Sequence, residues 1–197
     1  MIQRLQSDQQ QPAAEMLSRA FFNDPLMVYY LPDEARRERV LPTLMLASLR
    51  YCLYYGEVFT TDHLEGAACW LPPGGTSLNI WGLIRSGLGV VSLTLGFEAF
   101  RRIQQIEPGV DRIHRASLPG PHWYLMILGV DPSRQGQGIG GQLIETKMAE
   151  ARKAGLPCYL ETMTENDVVF YRKHGFDVVF ETDLPPVGLH TWMMVHS

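Results

Sequence analysis

The residues with the clearest chemical pattern lie in a glycine-rich loop between a strand-like run and an amphipathic helical pattern. The loop and its borders read Val130-Asp131-Pro132-Ser133-Arg134-Gln135-Gly136-Gln137-Gly138-Ile139-Gly140-Gly141. Glycine lets the backbone approach a bulky anion closely, and the first N–H groups of a helix have no partner within the helix. With the helix dipole, these donors predict a phosphate-binding site. A tight turn that uses glycine for steric reasons alone is the alternative, although one or two glycines suffice for a turn.

Two kinds of phosphate ligand are compatible with the glycines. Gly136, Gly138 and Gly141 satisfy the dinucleotide pattern G-x-G-x-x-G, with Glu161 as a ribose ligand on the following strand. Against a dinucleotide, the glycines do not follow the strand directly, and too little chain remains after them for a doubly wound sheet. A P-loop is excluded, because no Gly-Lys-Ser/Thr follows.

The same loop resembles the acetyl-CoA signature of the GNAT superfamily of N-acetyltransferases. Every position of V-x-P-x-x-[Q/R]-x-x-G-x-[G/A] matches, from Val130 to Gly140. Phe170-Tyr171-x-x-x-Gly175-Phe176 resembles a second landmark of that superfamily. The tail from His122-Trp123-Tyr124-Leu125 to Thr191-Trp192-x-Met194 is similar to the puromycin N-acetyltransferase branch. The specific resemblance covers residues 122–196.

The resemblance implies how acetyl-CoA is held. The end of the strand before the loop would pair with the pantetheine arm, and one backbone N–H there would polarise the thioester carbonyl. The N–H groups from Gln135 to Gly141 would hold the pyrophosphate. An Asn that usually precedes the Phe-Tyr pair is represented here by Asn166 or Asp167, and we assign Asn166. The predicted cofactor-binding residues are Leu128, Gly129, Val130, Gln135, Gly136, Gln137, Gly138, Ile139, Gly140, Gly141, Asn166 and Tyr171.

Two residues are predicted to be catalytic. Tyr171 corresponds to the tyrosine that protonates the departing CoA thiolate; the alternative is a core tyrosine under the sheet. Glu161 lies on the strand next to the cofactor arm, where a carboxylate can take a proton from an acceptor ammonium directly or through water. An ordinary hydrogen-bonded strand-end carboxylate is its alternative. His122 and His174 receive no role. Because no residue has the partners of a covalent nucleophile, direct attack of the amine is preferred.

Composition excludes several other classes of protein. The 197 residues are 46% apolar and carry 17 basic and 21 acidic side chains, a net charge of −4, so nucleic acid is not expected as the ligand. The longest apolar run, from Ser86 to Phe97, has about half the length needed to span a bilayer, and no signal peptide is apparent. Three cysteines without disulfide or metal spacing predict a reduced cytoplasmic protein without a bound metal.

The pattern of elements predicts an α/β domain. Strands are predicted at Met1–Leu5, Glu57–Thr61, Gly66–Leu71, His122–Val130, Cys158–Thr162, Phe176–Glu181 and Thr191–His196. Helices are predicted from Ser7 or Asp8 to Phe22 and at Asp33–Tyr55, Leu78–Ile106 (in one or two pieces), Gln135–Ala154 and Asp167–His174. A polar stretch, Glu107 to Gly120, is expected to return the chain to the sheet. This order indicates a GNAT fold with a mixed, twisted sheet of six to seven strands and helices on both faces.

Taken together, the sequence predicts one GNAT domain over residues 1–197. Residues 122–176 form its acetyl-CoA-binding core, and a helical segment at about 78–120 either packs as one or two core helices or covers the acceptor side. The predicted activity is transfer of an acetyl group from acetyl-CoA to a primary amine in a ternary complex. A small-molecule amine is favoured over a protein acceptor, and a homodimer is compatible with the sequence. The alternatives are a non-catalytic acyl-CoA sensor and a dinucleotide-binding oxidoreductase.

Overall fold

The computed structural model describes residues 1–75 and 88–197. Helices and strands alternate along it, with short 3₁₀ turns at Ser7–Gln9 and Pro132–Arg134. The helices are α1 (Gln10–Ala20), α2 (Pro25–Tyr30), α3 (Glu34–Tyr55), α4 (Leu88–Ser117), α5 (Ile139–Lys153) and α6 (Glu165–Lys173). The strands are β1 (Ile2–Arg4), β2 (Glu57–Thr61), β3 (Gly66–Leu71), β4 (Trp123–Val130), β5 (Cys158–Thr162), β6 (Asp177–Leu184) and β7 (Leu189–His196).

The seven strands form one mixed sheet in the order β1-β2-β3-β4-β5-β7-β6. All neighbours are antiparallel except β4 and β5, which run parallel. Helices α1, α3 and α4 pack on one face of the sheet, and α5 and α6 pack on the other. The predicted α/β fold, with a seven-stranded mixed sheet between helices, is therefore confirmed.

A buried lysine fixes α5 against the sheet. Lys147 is 1% exposed, and its Nζ lies 2.8 Å from Oε2 of Glu57 on β2 and 2.5 Å from Oε2 of Glu150. The same ammonium lies 4.2 Å from the ring centre of Trp123 on β4. A charge at this depth is tolerable because it is both paired and placed over an aromatic face. These contacts hold the helix that follows the glycine-rich loop in a fixed position over β2 and β4.

Strand bounds agree closely with the sequence, whereas one helix begins later than predicted. Glu57–Thr61, Gly66–Leu71 and Cys158–Thr162 are strands with the predicted bounds. The helix predicted from Gln135 begins at Ile139, so the prediction of its start is wrong. The reason is backbone conformation, since Gly136 and Gly138 have φ values of 76° and 78° and cannot belong to a right-handed helix.

The helix predicted to end at Ile106 extends further, into the polar stretch 107–120 that was expected to return the chain to the sheet. Helix α4 continues past Pro108 as far as Ser117, although its backbone leaves helical geometry at Gly96 (φ 70°, ψ 166°). Ile106 and His114, eight positions apart, both face the interior, with 1% and 5% exposure. Burial of this face outweighs the helix-weakening effect of the proline. Residues 78–87 of the predicted helical segment lie outside the described residues.

The sequence analysis did not predict the short helix α2. Asp24 caps it, because its Oδ1 accepts hydrogen bonds from the N–H groups of Leu26 and Met27 at 2.9 and 3.0 Å. Pro25 occupies the first helical position, where its missing N–H costs nothing. In the part of the chain that the structure describes, no helix is both long and apolar enough to cross a membrane.

Candidate active site at the β4–β5 split

The parallel strands β4 and β5 separate soon after they begin. Trp123 and Tyr124 pair with Cys158 and Tyr159, and the described register between the two strands stops there. On its other edge β4 pairs with β3 from Tyr124 to Val130, and β5 pairs with β7 from Cys158 to Thr162. The backbone groups on the inner edge of β4 are thus left open toward the split. This is the edge at which the sequence predicts pairing with an extended cofactor arm.

An extra residue in β4 accompanies the separation. Cys69 pairs with Ile127 and Trp70 with Leu125, so Met126 has no opposite residue on β3. A bulge of this kind bends a strand and increases its twist. It lies two residues beyond the last pair with β5, which places the bend where the strands diverge. The three predicted pairing residues, Leu128, Gly129 and Val130, follow the bulge.

Gly129 has a packing function in addition to its place on the open edge. A Cβ atom at this position would lie 2.5 Å from Cδ2 of Leu17 and 3.0 Å from Cε2 of Phe21. Helix α1 therefore rests directly on the β4 backbone at this point. The glycine is required for the close approach of helix and strand, and it leaves the opposite face of β4 unaffected.

The glycine-rich loop presents a run of unused backbone donors. The N–H of Arg134 donates to the carbonyl of Asp131, and the N–H of Gln142 donates to that of Gly138. Between them, no hydrogen bond among the described residues uses the N–H groups of positions 135–141. Seven successive donors at the start of the 15-residue helix α5 form an anion-binding surface with the helix dipole behind it. The positions predicted to hold a pyrophosphate are the ones with free donors.

Side chains on both sides anchor this loop. Oδ1 of Asp131 accepts from the N–H and the hydroxyl of Ser133 at 3.0 and 2.7 Å, and Oδ2 accepts from Arg19 on α1 at 2.6 Å. The hydrogen bonds from Ser133 and Arg19 lower the pKa of Asp131 to about 2. Nε2 of Gln135 donates to the carbonyl of Val130 at 3.2 Å. These bonds hold the donors in place before any ligand binds.

The four loop glycines serve two different purposes. Gly136 and Gly138 have positive φ values and open space where a Cβ would be. Gly140 and Gly141 allow close packing of α6, since a Cβ at Gly140 would lie 3.2 Å from Phe170, and one at Gly141 would lie 2.4 Å from the His174 ring. Only the first pair shapes the anion-binding backbone. The number of glycines alone therefore overestimates how many of them a phosphate site requires.

Tyr171 lies on the α6 side of the sheet. It is 8% exposed and belongs to the cluster that includes Leu125 of β4 and Leu160 of β5, the strands that border the split. Burial, with a smaller effect from the charge of Asp167, raises the pKa of the Tyr171 hydroxyl. The phenol thus stays protonated at neutral pH and can act as a proton donor.

Of the two alternatives before Tyr171, only one has an uncommitted side chain. Oδ2 of Asp167 accepts a hydrogen bond from Oγ1 of Thr162 at 3.0 Å, and its N–H donates to Oγ1 of Thr164, the N-cap of α6. Asn166 lies exposed in the first turn of α6, and its carboxamide makes no hydrogen bond within the described chain. Of the two predicted candidates, Asn166 is therefore the one with an unused side chain.

Glu161 lies on the opposite face of the sheet from Tyr171. It follows the last β4–β5 pair by two residues, and its side chain is 7% exposed and points toward α4. Its Oε1 is enclosed without a hydrogen bond of normal geometry, 3.3 Å from Nδ1 of His114. Burial raises the pKa of Glu161 to about 7, against the lowering effect of the Tyr124 and Tyr159 hydroxyls. A carboxyl group with this pKa is suited to exchange protons near neutral pH.

The sequence analysis missed the role of two histidines beside Glu161. Nε2 of His114 lies 2.8 Å from Nε2 of His122, whose Nδ1 lies 2.6 Å from the carbonyl of Gly120. The His114 ring stacks on Tyr159 with the ring centres 4.0 Å apart. His122 was considered in the sequence analysis but received no role, and His114, in the polar stretch 107–120, was not singled out. Their eight-residue separation across a helix end gave no sequence signal.

Comparisons with known proteins agree with this architecture. Residues 96–178 match the family model described as an acetyltransferase (GNAT) domain. An uncharacterized N-acetyltransferase of Schizosaccharomyces pombe is 28% identical over 181 residues, which cover 88% of this chain and 72% of that protein.

Two solved structures share the fold over nearly the whole chain. The structure of histone acetyltransferase HPA2 and related acetyltransferase from Corynebacterium glutamicum superposes with a TM-score of 0.71 at 20% identity, covering 99% of this chain and 94% of that one. Putative arylalkylamine N-acetyltransferase 7 of the yellow fever mosquito superposes with a TM-score of 0.67 at 17% identity, covering 98% and 85%.

The matched family model includes the end of α4, the split strands, the loop and Tyr171. The signature from Val130 to Gly140 lies where the free donors begin, at the start of α5. Residues 96–178 of this chain are therefore similar to an acetyltransferase (GNAT) domain, and the loop and Tyr171 lie within the matched region.

Proposed function

We propose that this protein transfers an acetyl group from acetyl-CoA to a primary amine of a small molecule, by direct attack within a ternary complex. The observation that carries the proposal is the combination of an open β4 edge with seven free N–H groups at the start of α5. An extended amide-containing arm can pair with the first, and a pyrophosphate can accept hydrogen bonds from the second. Acetyl-CoA carries both groups in one molecule.

Each part of this cosubstrate has a proposed binding segment in the site. Leu128 to Val130 would pair with the pantetheine arm, and a backbone N–H of this segment would polarise the thioester carbonyl. Residues 135–141 would bind the pyrophosphate, and the free carboxamide of Asn166 would contact the cofactor. We therefore propose residues 122–176 as the acetyl-CoA-binding core of a single domain, with helix α4 on the acceptor side.

The acid and the base approach the reaction from opposite faces of the sheet. Glu161, on the α4 face, removes a proton from the acceptor ammonium, so that the nitrogen lone pair can attack the thioester carbonyl carbon. Tyr171, on the α6 face, donates its phenolic proton to the sulfur as the carbon–sulfur bond breaks, and the second proton that the nitrogen loses restores the phenol. Because the two groups act on different atoms at opposite sides of the split, neither competes for the other's proton.

A small amine is the acceptor that we favour. The resemblance of residues 122–196 to the puromycin branch supports this choice, as does the structural similarity to a putative arylalkylamine N-acetyltransferase. A protein acceptor is the competing class, since the other solved neighbour is described as a histone acetyltransferase. The three cysteines, all buried free thiols, support a reducing cytoplasmic location.

Calorimetric titration with acetyl-CoA, NAD and NADP tests the donor half. We expect acetyl-CoA to bind and the two dinucleotides not to bind. Acetyl transfer is then measured with puromycin, 2-phenylethylamine and a peptide with a free N-terminus. Turnover of either small amine supports the proposal, and turnover of the peptide alone overturns the acceptor class. Binding without turnover of any amine points to an acyl-CoA sensor, and binding of NAD or NADP alone points to an oxidoreductase.

Tyr171→Phe tests the proton donor. We expect turnover to fall at least about tenfold while acetyl-CoA affinity stays within twofold, because the ring is kept and only the hydroxyl is lost. Tyr54→Phe, at an exposed tyrosine of α3, is the matched control. Equal turnover in wild type and Tyr171→Phe would remove the general-acid assignment.

A further inference from the structure

Acetylation of an ammonium group releases one proton, which must leave the buried side chain of Glu161 after each turnover. An ammonium and acetyl-CoA yield an amide, the CoA thiol and one free proton. Glu161, which accepts the proton in the proposed function, is 7% exposed and lies under α4. A carboxyl group with so little exposed surface can return its proton to solvent through neighbouring groups before the next turnover.

Three contacts connect Glu161 to an exposed segment of the chain. Oε1 of Glu161 lies 3.3 Å from Nδ1 of His114, and Nε2 of His114 lies 2.8 Å from Nε2 of His122. Nδ1 of His122 lies 2.6 Å from the carbonyl of Gly120. Residues 119–121 are exposed to solvent. The first contact is long for a hydrogen bond, as catalytic contacts often are without substrate.

The hydrogen bond from His122 to the Gly120 carbonyl determines which ring nitrogens of His122 and His114 carry hydrogens. The Gly120 carbonyl can only accept, so Nδ1 of His122 carries a hydrogen. In a neutral His122 the other nitrogen, Nε2, is then an acceptor, and His114 must donate to it through its own Nε2–H. Nδ1 of His114 is left with a lone pair facing Oε1 of Glu161. Once Glu161 has taken up a proton, that proton lies between these two acceptor atoms, and either residue can hold it.

We propose that His114 and His122 form a proton relay that returns the proton taken up by Glu161 to solvent. The inference rests on the proposed function and extends it. The proton on Glu161 passes to Nδ1 of His114 as the Nε2 proton of His114 passes to Nε2 of His122. Glu161 is again a carboxylate, His114 is neutral in its other tautomer, and His122 is an imidazolium. His122 then loses one proton to water beside residues 119–121, and exchange restores the resting tautomers.

The groups around the relay favour Glu161 over either histidine as the holder of a proton that the site has taken up. Burial, followed by repulsion from His122, lowers the pKa of His114 to about 4, and burial also lowers that of His122. Tyr124 on β4, Tyr159 on β5 and Glu107 on α4 face Glu161, and Asp111 and Arg115 on α4 act on His114. The imidazolium is therefore a short-lived carrier, which is what a relay requires.

The relay can be tested in the full chain without an acceptor, by nitrogen NMR of histidine-labelled protein from pH 5 to 9. We expect His122 to carry its hydrogen on Nδ1 and His114 on Nε2, and both rings to sense a titration near pH 7. In Glu161→Gln that titration should disappear from both rings. A hydrogen on Nε2 of resting neutral His122, or rings that do not respond to Glu161, would overturn the relay.

Steady-state kinetics provide the second test, with whichever of the three acceptors tested above is acetylated. In His122→Gln we expect kcat at pH 7 to fall about tenfold with acetyl-CoA affinity unchanged, because Glu161 keeps its place but loses its exit. In His122→Ala, added imidazole should restore turnover in proportion to its concentration, which a merely structural role would not produce. His63→Ala, at an exposed histidine of the β2–β3 turn, should show neither effect.

The two proposals fail in distinguishable ways. Full activity in Glu161→Gln would overturn the general-base assignment and, with it, the relay. A large loss in Glu161→Gln combined with wild-type kcat, pH profile and imidazole response in His122→Gln and His122→Ala would overturn the relay alone. If His122→Ala fails to fold, the tautomers of the wild-type protein still decide the outcome.

Discussion

The loop after β4 offers backbone groups, whereas the cluster around Glu161 offers titratable side chains. All donors of the loop come from one continuous segment, residues 135–141. The cluster brings together His114 at the end of α4, His122 just before β4, and Glu161 on β5. The first region should respond to changes in backbone conformation, and the second to changes in protonation. This difference makes the two halves of the proposed reaction separable by mutation.

The largest difference between the effect on kcat and the effect on acetyl-CoA affinity is expected for Glu161→Gln. We expect kcat to fall about 100-fold or more, the usual effect of losing a general base, while acetyl-CoA affinity stays within twofold. The amide has the size of the carboxylate but cannot accept the proton. Steady-state kinetics and calorimetry measure the two quantities, and Glu15→Gln, at an exposed position of α1, serves as the control. A parallel loss of affinity would show that the two sides of the split are not independent.

The same variant should change how stability depends on pH. Because burial raises the pKa of Glu161 from 4.5 to about 7, the folded state holds this proton more tightly than the unfolded state. Its stabilising contribution is complete below pH 4.5 and is lost as the pH rises through about 7. Between pH 4.5 and 8 the wild type should lose about 3 kcal/mol of unfolding free energy relative to Glu161→Gln.

Urea unfolding at pH 5, 6, 7 and 8 measures this difference, and Glu15→Gln should follow the wild type. Identical pH dependence in the wild type and Glu161→Gln would mean that the carboxyl group titrates as an exposed one. In that case the cluster around Glu161 would not exchange protons near neutral pH.

A change in the backbone of the glycine-rich loop should weaken acetyl-CoA binding without affecting the groups around Glu161. In Gly138→Ala we expect acetyl-CoA affinity to fall about tenfold, because a side chain at positive φ costs about 1–2 kcal/mol and shifts the neighbouring N–H groups. Gly155→Ala is a matched control, since Gly155 also has a positive φ (66°) and open space but follows the other end of α5. Calorimetry should show weaker binding only in the first variant. Equal affinities would separate the loop from phosphate binding.

The smallest effect is expected at the start of α6. Asn166→Ala should weaken acetyl-CoA binding about two- to tenfold, the range for one hydrogen bond between neutral groups. Asp167→Asn should change affinity less, because the Asp167 side chain already accepts from Thr162. A larger loss of affinity in Asp167→Asn than in Asn166→Ala would show that Asp167, a charged side chain, contacts the cofactor instead.

The donor site was predictable because its residues are neighbours in the chain. The order of strand, loop and helix from Val130 to Gly141 fixes which N–H groups lack partners, whatever the rest of the molecule does. What the sequence analysis misplaced was the start of the helix, since left-handed conformations at Gly136 and Gly138 depend on how the loop is anchored. The anchors include Arg19, more than a hundred residues away.

Amino-acid order alone thus determined the sheet-forming segments, the glycine-rich loop and the candidate roles of Tyr171 and Glu161. Tertiary structure decided where β4 and β5 part, because a bulge at Met126 arises only when β3 pairs with β4. It also decided the environment of Glu161, which becomes a group with a pKa of about 7 only when α4 covers it. Local patterns follow from neighbouring residues, whereas burial and proton sharing arise when distant segments pack together.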